Sequence, residues 1–229
     1  MTKKFNNELL KSWYLAKKIK ENLTNNSISE MSVSHLYKLD TIDLSYQKLN
    51  KISKNCFSGF YHLRRLNLGD NRISKIEPGS FDHLHSINEI NLSNNQLKSI
   101  DSNLFRNLSN LKKLDLSKNN FTSFSKDLFY GLYNLEYIDL SHNQLKSIDA
   151  DQFLDLNNVI EIDLSANRIK SVNPYTFKGL SNLQKIWLNY NKLNVEKLEL
   201  YIEESVKFIS FKRRLFGNDM SSIILPFRS

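Results

Sequence analysis

The 229-residue sequence is poor in cysteine, proline and glycine, with one, three and six of these residues respectively. Its single cysteine, Cys56, cannot form an internal disulfide and is interpreted as a small buried hydrophobe. The few glycines leave little material for a phosphate-binding loop. No segment approaches the run of about 20 apolar residues that spans a bilayer. A disulfide-stapled domain, a P-loop enzyme and an integral membrane protein are therefore disfavoured.

Catalytic and metal-binding motifs are also missing from the sequence. It contains no GxSxG, no HExxH and no Ser/His/Asp order of a known hydrolase. The five histidines are scattered and no cluster of cysteines or carboxylates accompanies them: His35, His62, His83, His85 and His142. We therefore predict that the protein is not an enzyme and has no catalytic residue, no cofactor and no metal site.

The N-terminal sequence does not have the pattern of a secretory signal. Residues 1–22 carry scattered charges and lack an apolar core followed by a small-residue cleavage site. Together with the single cysteine, this favours a cytoplasmic protein, with an extracellular location as the alternative.

One 24-residue pattern recurs seven times between Leu39 and Leu193. In the fifth copy, from Leu135 to Leu156, it reads LxxIxLxxNxLxxIxxxxFxxL. Apolar and polar residues alternate at the start of each copy, which predicts a short strand with one buried face. A single copy cannot bury its own apolar residues, so neighbouring copies must stack and form a parallel sheet. The first positions of the copies are Leu39, Leu63, Ile87, Leu111, Leu135, Val159 and Leu183.

Two further columns of the pattern indicate how the copies are held together. An asparagine column marks the point where the chain leaves the strand, and its amides are expected to pair with backbone groups there and in the next copy. Gln47 takes this place in the first copy. A phenylalanine column is expected to fill the wide half of each coil. The columns are Asn71, Asn95, Asn119, Asn143, Asn167 and Asn191, and Phe57, Phe81, Phe105, Phe129, Phe153 and Phe177.

This pattern resembles the leucine-rich repeat family, and the repeat length with its Phe resembles the typical subclass. The resemblance covers about two thirds of the chain. It implies an α/β solenoid with a parallel inner sheet, an irregular or short-helical convex side and helical caps. It also implies a binding surface without naming the ligand. Animal members of the subclass are mostly secreted or cell-surface proteins with cysteine-rich caps. Both caps are absent here, which weakens an extracellular assignment.

Three segments are predicted along the chain. Residues 1–30 form an N-terminal capping helix and connector, residues 31–193 a half repeat plus seven repeats, and residues 194–229 a C-terminal cap and tail. The apolar stripe between Phe5 and Leu23 predicts a helix that covers the first repeat, with a membrane-surface or partner-binding helix as the alternative. A second helix is predicted from Val195 to Phe208. The residues after it are either a packed extension or a loose tail.

The net charge of +8 is concentrated at the ends, with +5 on residues 1–20, +4 on residues 206–229 and −1 on residues 21–205. A nucleic-acid binder should show a continuous basic face with interleaved aromatic residues. The inner face instead carries a column of acids and amides, interpreted as solvation and ladder support, with selection for a basic ligand as the alternative. These residues are Asp43, Asn67, Asn91, Asp115, Asp139 and Asp163.

We predict a scaffold or adaptor that binds a protein or peptide on its inner sheet and is a monomer. The predicted contacts are Tyr137, His142, Trp187 and Tyr190, with Lys113, Glu161 and Lys185 as polar rim. Packing of Trp187 beneath the C-terminal helix is the alternative for that residue. A nucleic-acid partner is disfavoured, and a membrane partner is possible but not favoured. The alternative functions are a peripheral membrane or nucleic-acid partner acting through the basic termini, and an unconventionally secreted adhesion or virulence factor.

Overall fold

The computed structural model describes residues 39–194 and 208–210. Eight short parallel strands form the inner sheet, and the first seven begin two residues after the first position of each copy. The predicted solenoid with a parallel inner sheet is therefore confirmed. In sheet order the strands are β1 (Thr41–Asp43), β3 (Arg65–Asn67), β5 (Glu89–Asn91), β6 (Lys113–Asp115), β7 (Tyr137–Asp139), β9 (Glu161–Asp163), β11 (Lys185–Trp187) and β12 (Phe208–Ser210).

The register of the sheet follows the repeat length. Thr41 pairs with Arg65 and Lys113 pairs with Tyr137, so equivalent residues of neighbouring copies lie side by side. The central residue of each of the seven repeat strands is buried, and the flanking residues are exposed or half-buried. This alternation is the one that the sequence predicts for a strand with one buried face.

The convex side is irregular, which is one of the two predicted alternatives. It consists of turns and two small parallel pairs, formed by β2 (Lys51–Ile52) with β4 (Lys75–Ile76) and by β8 (Ser147–Ile148) with β10 (Ser171–Val172). Residues 39–194 and 208–210 contain no helix. Consequently, no helix in this part of the chain is long and apolar enough to cross a membrane.

The phenylalanine column fills the core as predicted. All six rings are at most 2% exposed. Phe153 stacks on Phe129 and Phe177 with ring centroids 6.0 and 6.1 Å apart. Phe124 adds an edge-on contact to Phe129 at 5.3 Å. Cys56 lies in the same core, and burial raises the pKa of its thiol, as expected for a structural rather than a reactive cysteine.

The asparagine column forms the predicted hydrogen-bond ladder. Asn71 Nδ2 donates to the carbonyl oxygens of Leu44 and Leu68 at 2.9 Å each, and its Oδ1 accepts from the Leu49 N–H at 3.0 Å. The ladder reaches the preceding copy rather than the next one that we expected from the sequence. In the first copy, the Gln47 side chain donates to the Ser45 carbonyl at 2.9 Å, which replaces one bond of the missing Asn.

Both predicted caps lie largely outside the described residues. The N-terminal helix, the connector and the half repeat before Leu39 belong to that part. Of the helix predicted from Val195 to Phe208, only Phe208 is described, and it begins β12 instead. Lys185 pairs with Phe208, a spacing of 23 residues rather than 24. The sheet thus gains a strand from the segment assigned to the C-terminal cap.

Candidate interaction face

The concave side of the sheet presents two columns of side chains, because the first and last residues of each strand flank a buried one. The first column is Thr41, Arg65, Glu89, Lys113, Tyr137, Glu161 and Lys185, and the second is Asp43, Asn67, Asn91, Asp115, Asp139, Asp163 and Trp187. Between β1 and β9 these columns line an open groove of about 530 Å³. An extended segment of another molecule could lie across such a surface.

The first column is mixed in charge and partly paired. Lys113 Nζ lies 3.6 Å from Glu89 Oε1 and 5.7 Å from the centre of the Tyr137 ring. Lys185 Nζ lies 3.4 Å from Glu161 Oε2. Exposed ion pairs of this kind contribute at most about 1 kcal/mol. A binding partner can therefore replace these contacts at little cost.

The second column has a structural role that the sequence interpretation anticipated. Asp139 Oδ1 accepts a hydrogen bond from the Ser141 N–H at 2.8 Å, and Asn91 Oδ1 accepts from the Ser93 N–H at the same distance. The equivalent bond recurs in each of the first six copies. These side chains thus support the backbone where each strand ends.

The same column also places negative charge in the groove. Burial raises the pKa of Asp139, and the neighbouring carboxylates of Asp163 and Asp115 add to that effect. Among the described residues, none of these three carboxylates forms an ion pair. They were not among the predicted contacts, because solvation and ladder support were sufficient to explain them.

The structure brings five of the seven predicted contacts together. Lys113, Tyr137, Glu161 and Lys185 lie side by side in the first column through the register of β6, β7, β9 and β11. Trp187 joins them from the second column, since its Nε1 donates to Glu161 Oε1 at 2.8 Å. We call these five residues the aromatic row. The Trp187 ring is half-buried within the row.

His142 and Tyr190 do not lie in the aromatic row. Both occupy the eighth position of their copies, where the backbone is left-handed, with φ of 54° and 58°. They are exposed on the turn that leaves the sheet. The alternation of the strand ends before this position, so a pattern extended from the strand misplaces them.

No metal-binding arrangement occurs in the part of the chain that the structure describes. Groups of three or more His, Cys, Asp or Glu side chains with suitable geometry are absent from residues 39–194 and 208–210.

Comparisons with known proteins agree with this architecture. A family model described as "Leucine rich repeat" matches six overlapping segments, residues 22–73, 37–97, 61–121, 86–145, 109–169 and 134–193. A comparison with curated proteins found no match.

Solved structures show the same fold. A chain in the "Crystal structure of TLR13-ssRNA13 complex" is 25% identical with a TM-score of 0.61, over 78% of this chain and 30% of that one. The "Crystal Structure of APL1 leucine-rich repeat domain" is 22% identical with a TM-score of 0.66, over 80% of this chain and 48% of that one. This chain therefore spans less than half the length of either. The family model covers well over half of the sequence, and the chain belongs to the leucine-rich repeat family.

Proposed function

We propose that this protein is a non-enzymatic scaffold or adaptor that binds a protein or an extended peptide on its concave sheet. Domains of the leucine-rich repeat family are generally interaction modules without catalytic activity, which supports the coarser part of the proposal.

The aromatic row carries the proposal. Binding hot spots are enriched in Tyr and Trp that are surrounded by polar groups. Tyr137 is 37% exposed, and Lys113 lies over one side of its ring. Trp187 is held across the sheet by its bond to Glu161, so its orientation is fixed before any partner arrives. A preorganised aromatic pair reduces the entropy that binding must overcome.

The charge of the groove favours a protein partner over a nucleic acid at this site. One similar structure is a complex with a single-stranded RNA. Here the second column presents Asp115, Asp139 and Asp163 along the groove, and these carboxylates would repel a phosphate backbone. A peptide that carries a basic side chain would be attracted by them instead.

A site-specific photo-crosslinker tests the proposal. Introduced in place of Tyr137 and activated in the native cell, it should yield discrete crosslinked bands whose partner peptides are identified by mass spectrometry. The matched control is the same crosslinker in place of Tyr133, which is 46% exposed outside the groove. Tyr137→Ala should then weaken binding of the identified partner at least tenfold, and Tyr133→Ala should not. Equal labelling from both positions would contradict the proposal.

A further inference from the structure

Charge is separated between the faces of the solenoid. Each copy leaves the sheet at its eighth position and crosses to the convex side by its thirteenth. We call the surface formed by these positions the turn face. It consists of residues 46–51, 70–75, 94–99, 118–123, 142–147, 166–171 and 190–194. The turn face carries ten Lys and Arg and one carboxylate, a net charge of +9, whereas the rest of residues 39–194 carries −6.

The turn face is a single continuous surface. Positions nine and eleven point inward: Asn143, Leu145, Asn167 and Ile169 are all buried, whereas His142, Arg168 and Lys170 between and beside them are exposed. Neighbouring copies are joined by a backbone ladder in which the N–H at position ten donates to the carbonyl at position eleven of the preceding copy. The bond from Arg72 to Leu49 is 2.9 Å long and that from Lys192 to Ile169 is 2.8 Å. The side chains therefore stack copy by copy along about 30 Å.

The cations of the turn face are exposed, and few of them are neutralised. The first four copies contribute Lys48, Lys51, Arg72, Lys75, Lys98 and Lys118, and the last three contribute Lys146, Arg168, Lys170 and Lys192. Of these ten cations, only Lys51 forms an ion pair within the described residues, and its partner is Glu77. The one carboxylate, Asp70, accepts hydrogen bonds from Asn94 Nδ2 at 2.6 Å and from Tyr46, whose pKa is raised by this contact.

Exposed aromatic side chains lie among these cations. Tyr46 is 72% exposed and Tyr190 is 59% exposed, both at the eighth position, and His142 occupies the same place in the fifth copy. Aromatic side chains interleaved with Lys and Arg are the arrangement that binds single-stranded nucleic acids, because every base has a face that can stack.

We propose that the turn face binds a single-stranded nucleic acid, with phosphates along the Lys and Arg side chains and bases stacked on Tyr46, His142 and Tyr190. An anionic membrane fits this surface less well, since the described residues of the turn face include no exposed aliphatic side chain to insert. A duplex fits less well because its bases are paired and stacked within the helix. This site is separate from the concave groove, whose carboxylates repel phosphate.

Fluorescence anisotropy with the full chain and a labelled single-stranded RNA of about 15 nucleotides tests the proposal. Engagement of about five phosphates would give a slope of log affinity against log salt near −3.5, or about 100-fold weaker binding at 200 mM than at 50 mM salt. The triple variant Lys146→Glu, Arg168→Glu, Lys170→Glu should lose at least tenfold in affinity.

The matched control is Arg106→Glu, Lys126→Glu, Lys178→Glu, which reverses three exposed cations on the convex side. It changes the net charge by the same amount and should retain most of the affinity. Thermal melts of both variants verify folding. Equal losses in the two variants would mean that only net charge matters, and full affinity in the first would mean that the turn face is not the site. Either result overturns the proposal.

Two further measurements define the ligand class. The double variant Tyr46→Asn, Tyr190→Asn removes two stacking rings and introduces Asn, which tolerates a left-handed backbone. It should weaken RNA binding about fivefold or more and leave the salt slope unchanged. A duplex of the same length and phosphatidylserine vesicles should bind more weakly than the single strand. The assignment to single strands is wrong if the duplex or the vesicles bind the wild type as tightly as the single strand does and bind the turn-face triple variant more weakly. Tyr137→Ala should leave RNA binding intact, which separates this site from the proposed protein-binding function.

Discussion

The concave sheet and the turn face are built from the same seven copies, yet their surfaces have opposite character. Carboxylates dominate the second column of the sheet, at Asp115, Asp139 and Asp163, whereas Lys and Arg dominate the turn face a few residues later in each copy. The buried positions and the asparagine are constrained by packing, but the exposed positions between them are free to vary. A repeat chain can thus place different chemistry on each side without changing its core.

The largest expected effect comes from the core that both faces share. Phe153→Ala removes a ring that is fully buried between Phe129 and Phe177, and should destabilise the protein by about 3–5 kcal/mol. Urea denaturation followed by circular dichroism measures this loss. Leu154→Ala, 66% exposed beside it, is the control and should change the midpoint little. Similar midpoints for the two variants would show that the column does not carry the fold.

The asparagine ladder connects the end of each strand to the turn face. Asn119→Ala removes Nδ2 donations to the carbonyls of Leu92, Leu116 and Ser117, as well as the acceptor for the Leu97 N–H. We expect a loss of at least about 2 kcal/mol in unfolding free energy, because buried backbone groups are left without partners. Thr122→Ala, at an exposed site three residues away, should cost far less in the same urea titration. A loss in Asn119→Ala no greater than in the control would contradict the ladder.

A smaller effect confined to the concave side is expected at Trp187. Trp187→Phe keeps a ring but removes the donor to Glu161, and should cost about 1–2 kcal/mol because the acceptor is charged. Glu161→Gln keeps an acceptor and should cost less. Differential scanning calorimetry compares the two. If Trp187→Phe melts like the wild type, the indole is not fixed by this bond and the aromatic row is not preorganised.

The smallest effect sharpens the contrast in charge. Asp139→Asn should stabilise the fold at pH 7 by less than about 1 kcal/mol. The new amide oxygen can still accept the hydrogen bond from Ser141. Asn67 and Asn91 already accept the equivalent bond in this column. Because the pKa of Asp139 is raised on folding, ionisation of its carboxyl disfavours the native state as pH rises through that pKa. The advantage of the variant should therefore shrink in acid, where the wild-type carboxyl is protonated. Thermal melts of the wild type and the variant at several pH values test this. A difference in stability that stays constant with pH would mean that the cause is not electrostatic.

The sequence was sufficient to predict whatever the repeat length determines. The asparagine and phenylalanine columns recur every 24 residues, so their stacking follows from the spacing. Lys113, Tyr137, Glu161 and Lys185 lie side by side for the same reason, since equal positions in parallel copies become neighbours. Which of these side chains contact a partner stays a prediction.

Three features were not obtained in this way. The strand β12 follows β11 at a spacing of 23 residues, so a search in steps of 24 passes over it. The charge separation is visible only when charges are compared by position within the copy, because a sum along the chain cancels it. Residues 21–205 sum to −1, which conceals a surface of +9. His142 and Tyr190 were assigned to the sheet face because no residue type marks the left-handed turn that redirects them.

That turn has a consequence for engineering the protein. Seven residues other than glycine adopt φ between 51° and 58° at the eighth position, namely Tyr46, Asp70, Asn94, Lys118, His142, Ala166 and Tyr190. For side chains other than Asn and Asp this conformation costs about 1–2 kcal/mol each. Replacing Lys118 or Ala166 with Asn or Gly would relieve that strain without touching the core. Substitutions at the eighth position can therefore stabilise the protein. At Tyr46, Lys118, His142 or Tyr190, however, they would remove side chains that the turn face displays.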